Sequence, residues 1–248
     1  GAANAGLGQL DAAIDSYKQA LKIKPNYALY NNMGHVQQEK GDLDAAIDSF
    51  EQALRMKPDY AEAYYNMGTT LQEKGNLSAA IGNYIKALKN KPDYADAYNK
   101  LGNALKDKGD LEATIESFNQ AIKLKPDHAD AYYNMGNALK GIVFNKPKSD
   151  LIETILLLLD QRTFCRPKDI APAAISLLKL EPTLKELLEK YSLGTLRQSL
   201  QETISTLAEL PLLLKLMSVC PIVDLELESI LVDIRSALLS SVDEISIS

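Results

Sequence analysis

The sequence has no tryptophan, two histidines and two cysteines among its 248 residues. These scarcities narrow the classes of function. Cys165 and Cys220 cannot build a disulfide framework, which points to a reducing compartment and an expected cytoplasmic location rather than secretion. His35 and His128 stand apart from each other and from cysteine, whereas a metal site needs clustered donors, so no cofactor is expected. The longest apolar run, near residues 151–159, is short and carries Glu153, so no membrane span is expected. The first residues show no signal-peptide pattern. No Gly-x-Ser-x-Gly, Walker loop or dinucleotide fingerprint occurs, so no enzyme is expected. A net charge of −6 supplies no global attraction for nucleic acid, and the local lysine pairs, such as Lys89 and Lys91, are matched by acids.

What is present is unevenly spread. Residues 1–148 contain 18 basic and 18 acidic side chains, while the remaining residues contain 9 and 15. Eleven of the twelve tyrosines and twelve of the thirteen glycines precede residue 149. The tail is instead rich in leucine runs, such as residues 156–159 and 212–214. This change of composition predicts a boundary between residues 1–148 and 149–248.

The first part repeats itself. Lys-Pro-(Asn/Asp)-(Tyr/His)-Ala recurs at Pro25, Pro58, Pro92 and Pro126, with spacings of 33, 34 and 34 residues. One glycine recurs at Gly34, Gly68, Gly102 and Gly136, and a second at Gly8, Gly41, Gly75 and Gly109. An aromatic follows at Tyr17, Phe50, Tyr84 and Phe118. Residues 61–74 and 77–89 lack proline and are rich in helix formers. Gly75 stands where the chain must reverse, and Pro92 where the second helix must stop. Each unit is therefore two antiparallel helices that need stacked neighbours to bury both faces. Small Gly68, Ala80 and Ala87 mark close approaches, and Tyr64, Leu71, Leu77 and Tyr84 fill the space between.

This pattern resembles the tetratricopeptide repeat (TPR) family over residues 1 to about 140. Its wording, Ala-Tyr-x-Asn-(Leu/Met)-Gly at 63–68 and 131–136, is nearest to the TPR arrays of O-linked GlcNAc transferases and related bacterial proteins. Departures are visible. Tyr30, Tyr64, Tyr98 and Tyr132 stand where the family has a bulky tryptophan, and Thr114 replaces a packing alanine. The first unit starts in mid-helix, so Gly8 is expected to turn after a truncated helix, leaving an end open to self-association. The last unit has its first helix only, running off pattern at Gly141. The fold class expected is thus all-α, a TPR solenoid followed by an irregular helical cap.

In the tail, helices are predicted from Ser149 through Leu159, over 172–179, 182–191, 195–208 and 211–219, and over 223–239. Asp224, Glu226 and Glu228 read as solvated charges of a first turn. The stretch 214–228 resembles the segment between TPR arrays and methyltransferase domains in some bacterial proteins.

The resemblance also implies a site. First helices line the concave face of TPR arrays. Two residues before each mid-helix glycine stand Asn32, Asn66, Lys100 and Asn134; one residue after it stand His35, Thr69, Asn103 and Asn137. Three before it stand Asn31, Tyr65, Asn99 and Tyr133. An asparagine side chain donates and accepts at once, so it can pair with both groups of one peptide unit. A ladder of them grips an extended chain by its backbone, as in the glycosyltransferase arrays; Lys100 breaks it. Such amides are expected to face open water. The chaperone-tail clamp is excluded, because Asn31/His35, Tyr65/Thr69, Asn99/Asn103 and Tyr133/Asn137 supply no cation. The function expected is a non-catalytic scaffold binding protein or extended peptide. The alternative is the substrate-recognition arm of a larger glycosyl- or methyltransferase.

Overall fold

A computed structural model describes residues 2–160, 166–192, 200–220, 224 and 227–233. The described residues are all-α, with no strand. Eight helices come first: α1 (Ala2–Ile23), α2 (Tyr27–Lys40), α3 (Leu43–Met56), α4 (Ala61–Glu73), α5 (Leu77–Asn90), α6 (Ala95–Lys108), α7 (Leu111–Leu124) and α8 (Ala129–Leu139). Five follow: α9 (Ser149–Asp160), α10 (Pro167–Leu180), α11 (Pro182–Ser192), α12 (Leu200–Ala208) and α13 (Pro211–Val219). A further helical stretch covers 227–233. By contact the chain forms two compact units, residues 1–134 and 135–248. They meet within α8, some fourteen residues ahead of the composition change. Lys140, 3.5 Å from Asp169 of α10, and the Phe144 N–H, which donates to Ser176 Oγ at 2.9 Å, tie this connection to the second unit.

In the first unit, α2/α3, α4/α5 and α6/α7 are antiparallel hairpins, and α1, α3 and α5 also pack on the first helices that follow them, α2, α4 and α6. The turns are made by Gly41, Gly75 and Gly109, with φ of +89°, +79° and +86°. In that left-handed conformation the Gly75 N–H reaches back to the Gln72 carbonyl at 2.9 Å. Two of the helices that follow, α5 and α7, are capped by side chains: Asn76 Oδ1 accepts from the Ala79 N–H and Asp110 Oδ1 from the Ala113 N–H.

Each hairpin is closed by one contact. The rings of Phe50, Tyr84 and Phe118 are fully buried. They lie on the mid-helix glycines so closely that a Cβ on Gly34, Gly68 or Gly102 would stand 2.6–2.8 Å from the ring. Ala46, Ala80 and Ala87 have no exposure and let the backbones approach. Thr114 substitutes for that alanine, fully buried, because its hydroxyl donates to the Asp110 carbonyl at 2.6 Å. Tyr84 differs from its phenylalanine counterparts by a hydroxyl, which donates to Gln72 Oε1 at 2.9 Å.

Three expectations are corrected. Gly8 makes no turn: α1 runs unbroken from Ala2 to Ile23. As one continuous helix, α1 pairs the backbone groups on both sides of Gly8 within itself. Ile14 and Leu21 of α1 pack against Met33 of α2, as a second helix should. Lys40 ties α1 to the next turn by bonding Asp11 and Asp42, both at 2.9 Å. These two hydrogen bonds push its ammonium up to about 12.

The other two corrections lie in the second unit. Pro172 sits inside α10 rather than in its first turn, which Pro167 occupies. Pro172 leaves the Lys168 carbonyl without its intrahelical donor, a cost accepted because Ile170, Ala171, Ala173 and Ala174 around it are buried. Asp224 is no free surface charge either. It pairs with Lys179 at 2.8 Å, and its Oδ1 caps the Leu227 N–H at 3.1 Å. Of the remaining helices predicted there, residues 195–199, 223 and 234–239, with Glu226, lie outside the described residues. The leucine run sorts itself by helical angle: Leu158 and Leu159 are buried, while Leu157 is exposed. Their helix packs on α10 and on α13, whose Leu212, Leu213 and Leu216 are buried as well.

Gly68→Ala should therefore destabilise the chain by about 1–3 kcal/mol through overpacking, although alanine is the better helix former by about 1 kcal/mol. Urea midpoints compared with the parent decide it, and an unchanged or raised midpoint would contradict the ring contact. A second expectation concerns alkali. Burial pushes the Tyr84 hydroxyl up to about 12, while an unfolded tyrosine titrates at about 10. The unfolded chain then loses its proton first, so the stability from this group is intact below about pH 10 and falls as pH rises through 12. Tyr84→Phe should flatten that fall in denaturation midpoints taken between pH 8 and 11.5.

Candidate peptide-binding groove

Successive first helices α2, α4 and α6 touch one another and form the inner layer of the first unit. The gap between α2 and α4 is bridged by two side-chain bonds, each between residues 35 apart. Asn66 Nδ2 donates to Asn31 Oδ1 at 3.0 Å, and Gln38 Nε2 donates to Glu73 Oε1 at 2.7 Å. The first of these recurs two repeats later, where Asn134 Nδ2 donates to Asn99 Oδ1 at 3.0 Å.

The gap between α4 and α6 is built differently. The residues at those two rungs are Tyr65 and Lys100, and Gln72 and Asp107. Tyr65 turns away into a ring cluster, 5.0 Å from Tyr94 and 6.1 Å from Tyr84. Burial and, after it, the Asp96 charge raise its hydroxyl pKa. Gln72 is occupied by the Tyr84 hydroxyl. Neither rung forms a bond across this gap among the described residues, and a cavity of about 450 Å³ opens there. Thr69, Gln72 and Glu73 line it from α4, and Lys100, Asn103, Lys106 and Asp107 from α6.

Apart from Tyr65, the sequence-predicted residues thus fall into three groups. Thr69, Lys100 and Asn103 come together around the cavity. Thr69 Oγ1 donates to its own helix at the Tyr65 carbonyl, 3.1 Å away. Asn31, Asn66, Asn99 and Asn134 are joined in pairs, with Asn31 and Asn99 buried. The expectation that the ladder amides face open water is corrected here: Asn66 and Asn134 each spend their N–H side on a neighbouring helix and keep Oδ1 without a hydrogen bond among the described residues. Asn32, His35, Tyr133 and Asn137 are exposed. His35 Nδ1 lies 3.6 Å from Glu39 Oε1 on its own helix. Asn137 belongs to the second unit.

Gln72, Glu73, Lys106 and Asp107 were missed. They lie three or four residues beyond Thr69 or Asn103, the spacings that return to one helix face, so periodicity counted from those two residues would have found them. His128 is buried in the Tyr60/Tyr94 position of its repeat. Its Nε2 stands 3.1 Å from Asp96 Oδ1 but out of line for a hydrogen bond.

Stacked helix hairpins with a polar inner face define the first unit as an α-solenoid of interaction-scaffold type. Residues 5–41, 34–75, 70–109 and 102–142 match the TPR repeat family, and the chain belongs to the tetratricopeptide repeat family. It is similar to a crystal structure of MamA, with 32% identity and a TM-score of 0.50 over 53% of this chain and 77% of that one. A second MamA structure gives 29% and 0.53 over 63% and 84%. A mutant Thermobaculum terrenum O-GlcNAc transferase gives 26% and 0.47 over 55% of this chain and 26% of its own. No curated protein matches. Among the described residues, no three potential metal ligands cluster and no helix is long and apolar enough to cross a membrane.

The Asn66–Asn31 bond has a measurable consequence. Asn66→Ala strands the buried Asn31 oxygen, so stability should fall by about 1–3 kcal/mol. Asn32→Ala, at an exposed amide, should stay within about 0.5 kcal/mol. Equal urea midpoints for the two variants would show that the bond contributes nothing.

Proposed function

We propose that the chain is a non-catalytic protein-binding scaffold that holds an extended peptide along the inner, first-helix face of its repeats. The observation that carries this reading is the repeated asparagine position. Asn32 is exposed, and Asn66 and Asn134 keep an acceptor oxygen open after tying neighbouring helices together. Rungs set by stacked repeats recur at a regular interval, which suits the regular peptide groups of an extended chain. Membership of a repeat family whose solenoids use concave binding surfaces supports the same reading. The scarcity of cysteine supports a reducing, cytoplasmic setting.

The test begins with a peptide array on the full chain. Hits are then titrated against Asn32→Ala, which leaves the helix–helix bonds intact. Loss of one net hydrogen bond should weaken binding about 2- to 10-fold. The loss should be similar for peptides of different sequence, because backbone is what the amide reads. Hits whose affinities ignore Asn32 and survive crowding of the groove by Thr69→Arg would place binding elsewhere.

A further inference from the structure

The unbridged gap between α4 and α6 differs in charge from its surroundings. Its inner part is formed by Thr69, Gln72, Lys100 and Asn103, which are half-buried. That part contains one cation and no anion. The charged residues of the rim, Glu73 among them, are exposed, and water and salt screen them. Glu73 is also engaged by Gln38. Asp107 lies seven residues beyond Lys100, about 10 Å along α6, roughly a Debye length at physiological salt. The Lys100 ammonium makes no ion pair and no hydrogen bond among the described residues, and neither does the Asn103 side chain. Three residues apart on one helix, they point a cation and an amide donor into the same space.

We propose that this gap is a specificity pocket in which Lys100 and Asn103 take the carboxylate of an acidic side chain projecting from a bound extended peptide. The proposal rests on the peptide-binding reading above and adds the ligand's chemistry to it. The flanking rungs contact backbone and are indifferent to sequence. The α4–α6 gap reads a side chain, because the polar groups that would have closed it are engaged elsewhere: Tyr65 with rings, Gln72 with the Tyr84 hydroxyl. A carboxylate accepts from the ammonium and the amide together, and such charge-assisted bonds are stronger than neutral ones. A lysine side chain in the ligand would meet like charge, and a glutamine would lose the charge assistance.

The experiment uses labelled nonapeptides of serine, alanine and threonine carrying one central glutamate, with matched glutamine and lysine versions. They are titrated onto the full chain at low and high salt. The glutamate peptide should bind about 5-fold more tightly than the glutamine peptide at low salt, with the preference shrinking as salt rises. Lys100→Asn, which restores the ladder residue, should abolish the preference by weakening the glutamate peptide to the level of the glutamine peptide, with the circular dichroism of the parent. If the peptides bind and weaken on Asn32→Ala, yet glutamate gains nothing or its advantage survives Lys100→Asn, the pocket is wrong and the groove stands. If none of the nonapeptides binds at millimolar concentration, the pocket and the groove reading fall together.

Discussion

A ring pressed against a glycine organises the first unit. Phe50, Tyr84 and Phe118 reach across their hairpins to Gly34, Gly68 and Gly102, where even a methyl group would collide. That contact sets how closely the two helices of a repeat approach. It holds the first helix in one rotation about its axis, and the same residues of every first helix then face inward. The asparagine pairs and the cavity all stand on faces whose direction this contact decides. Dispersion and burial supply the energy; the absent Cβ supplies the geometry.

Small chemical differences on this uniform frame create local character. One hydroxyl separates Tyr84 from Phe50, and it draws Gln72 away from the next helix. One ring, Tyr65, stands where Asn31 stands in the preceding repeat, and it packs with aromatics instead of bonding across the groove. Together they leave α4 and α6 without the side-chain bridges that join α2 to α4. A repeat protein can vary its surface in this way without disturbing its stack, because each repeat contacts only its neighbours.

The second unit follows another logic. It has no repeat, and its core is aliphatic, built from leucines and isoleucines of α9, α10 and α13 with Ile230. Polar groups there act as fasteners: Lys179 with Asp224, Lys215 with Asp160, and Ser176 with the Phe144 N–H. Leucine-rich helices can satisfy one another in many ways, so such paired charges and caps distinguish one arrangement from its neighbours.

Local chemistry was enough to read the helices, their glycine turns and the spacing of inward-facing positions from the sequence. Turn glycines need left-handed backbone, prolines end helices, and a period of 34 forces stacking. The same chemistry misjudged Gly8 and Pro172, because the outcome there depends on what packs around the helix and not on the residue's own preference. It named Thr69, Lys100 and Asn103 but not the cavity they share. It also took Asn66 and Asn134 for free amides. Only the tertiary structure decided those points: whether two side chains 35 residues apart bond or part depends on helix separation and on competing partners such as the Tyr84 hydroxyl, and neither is written in any single repeat.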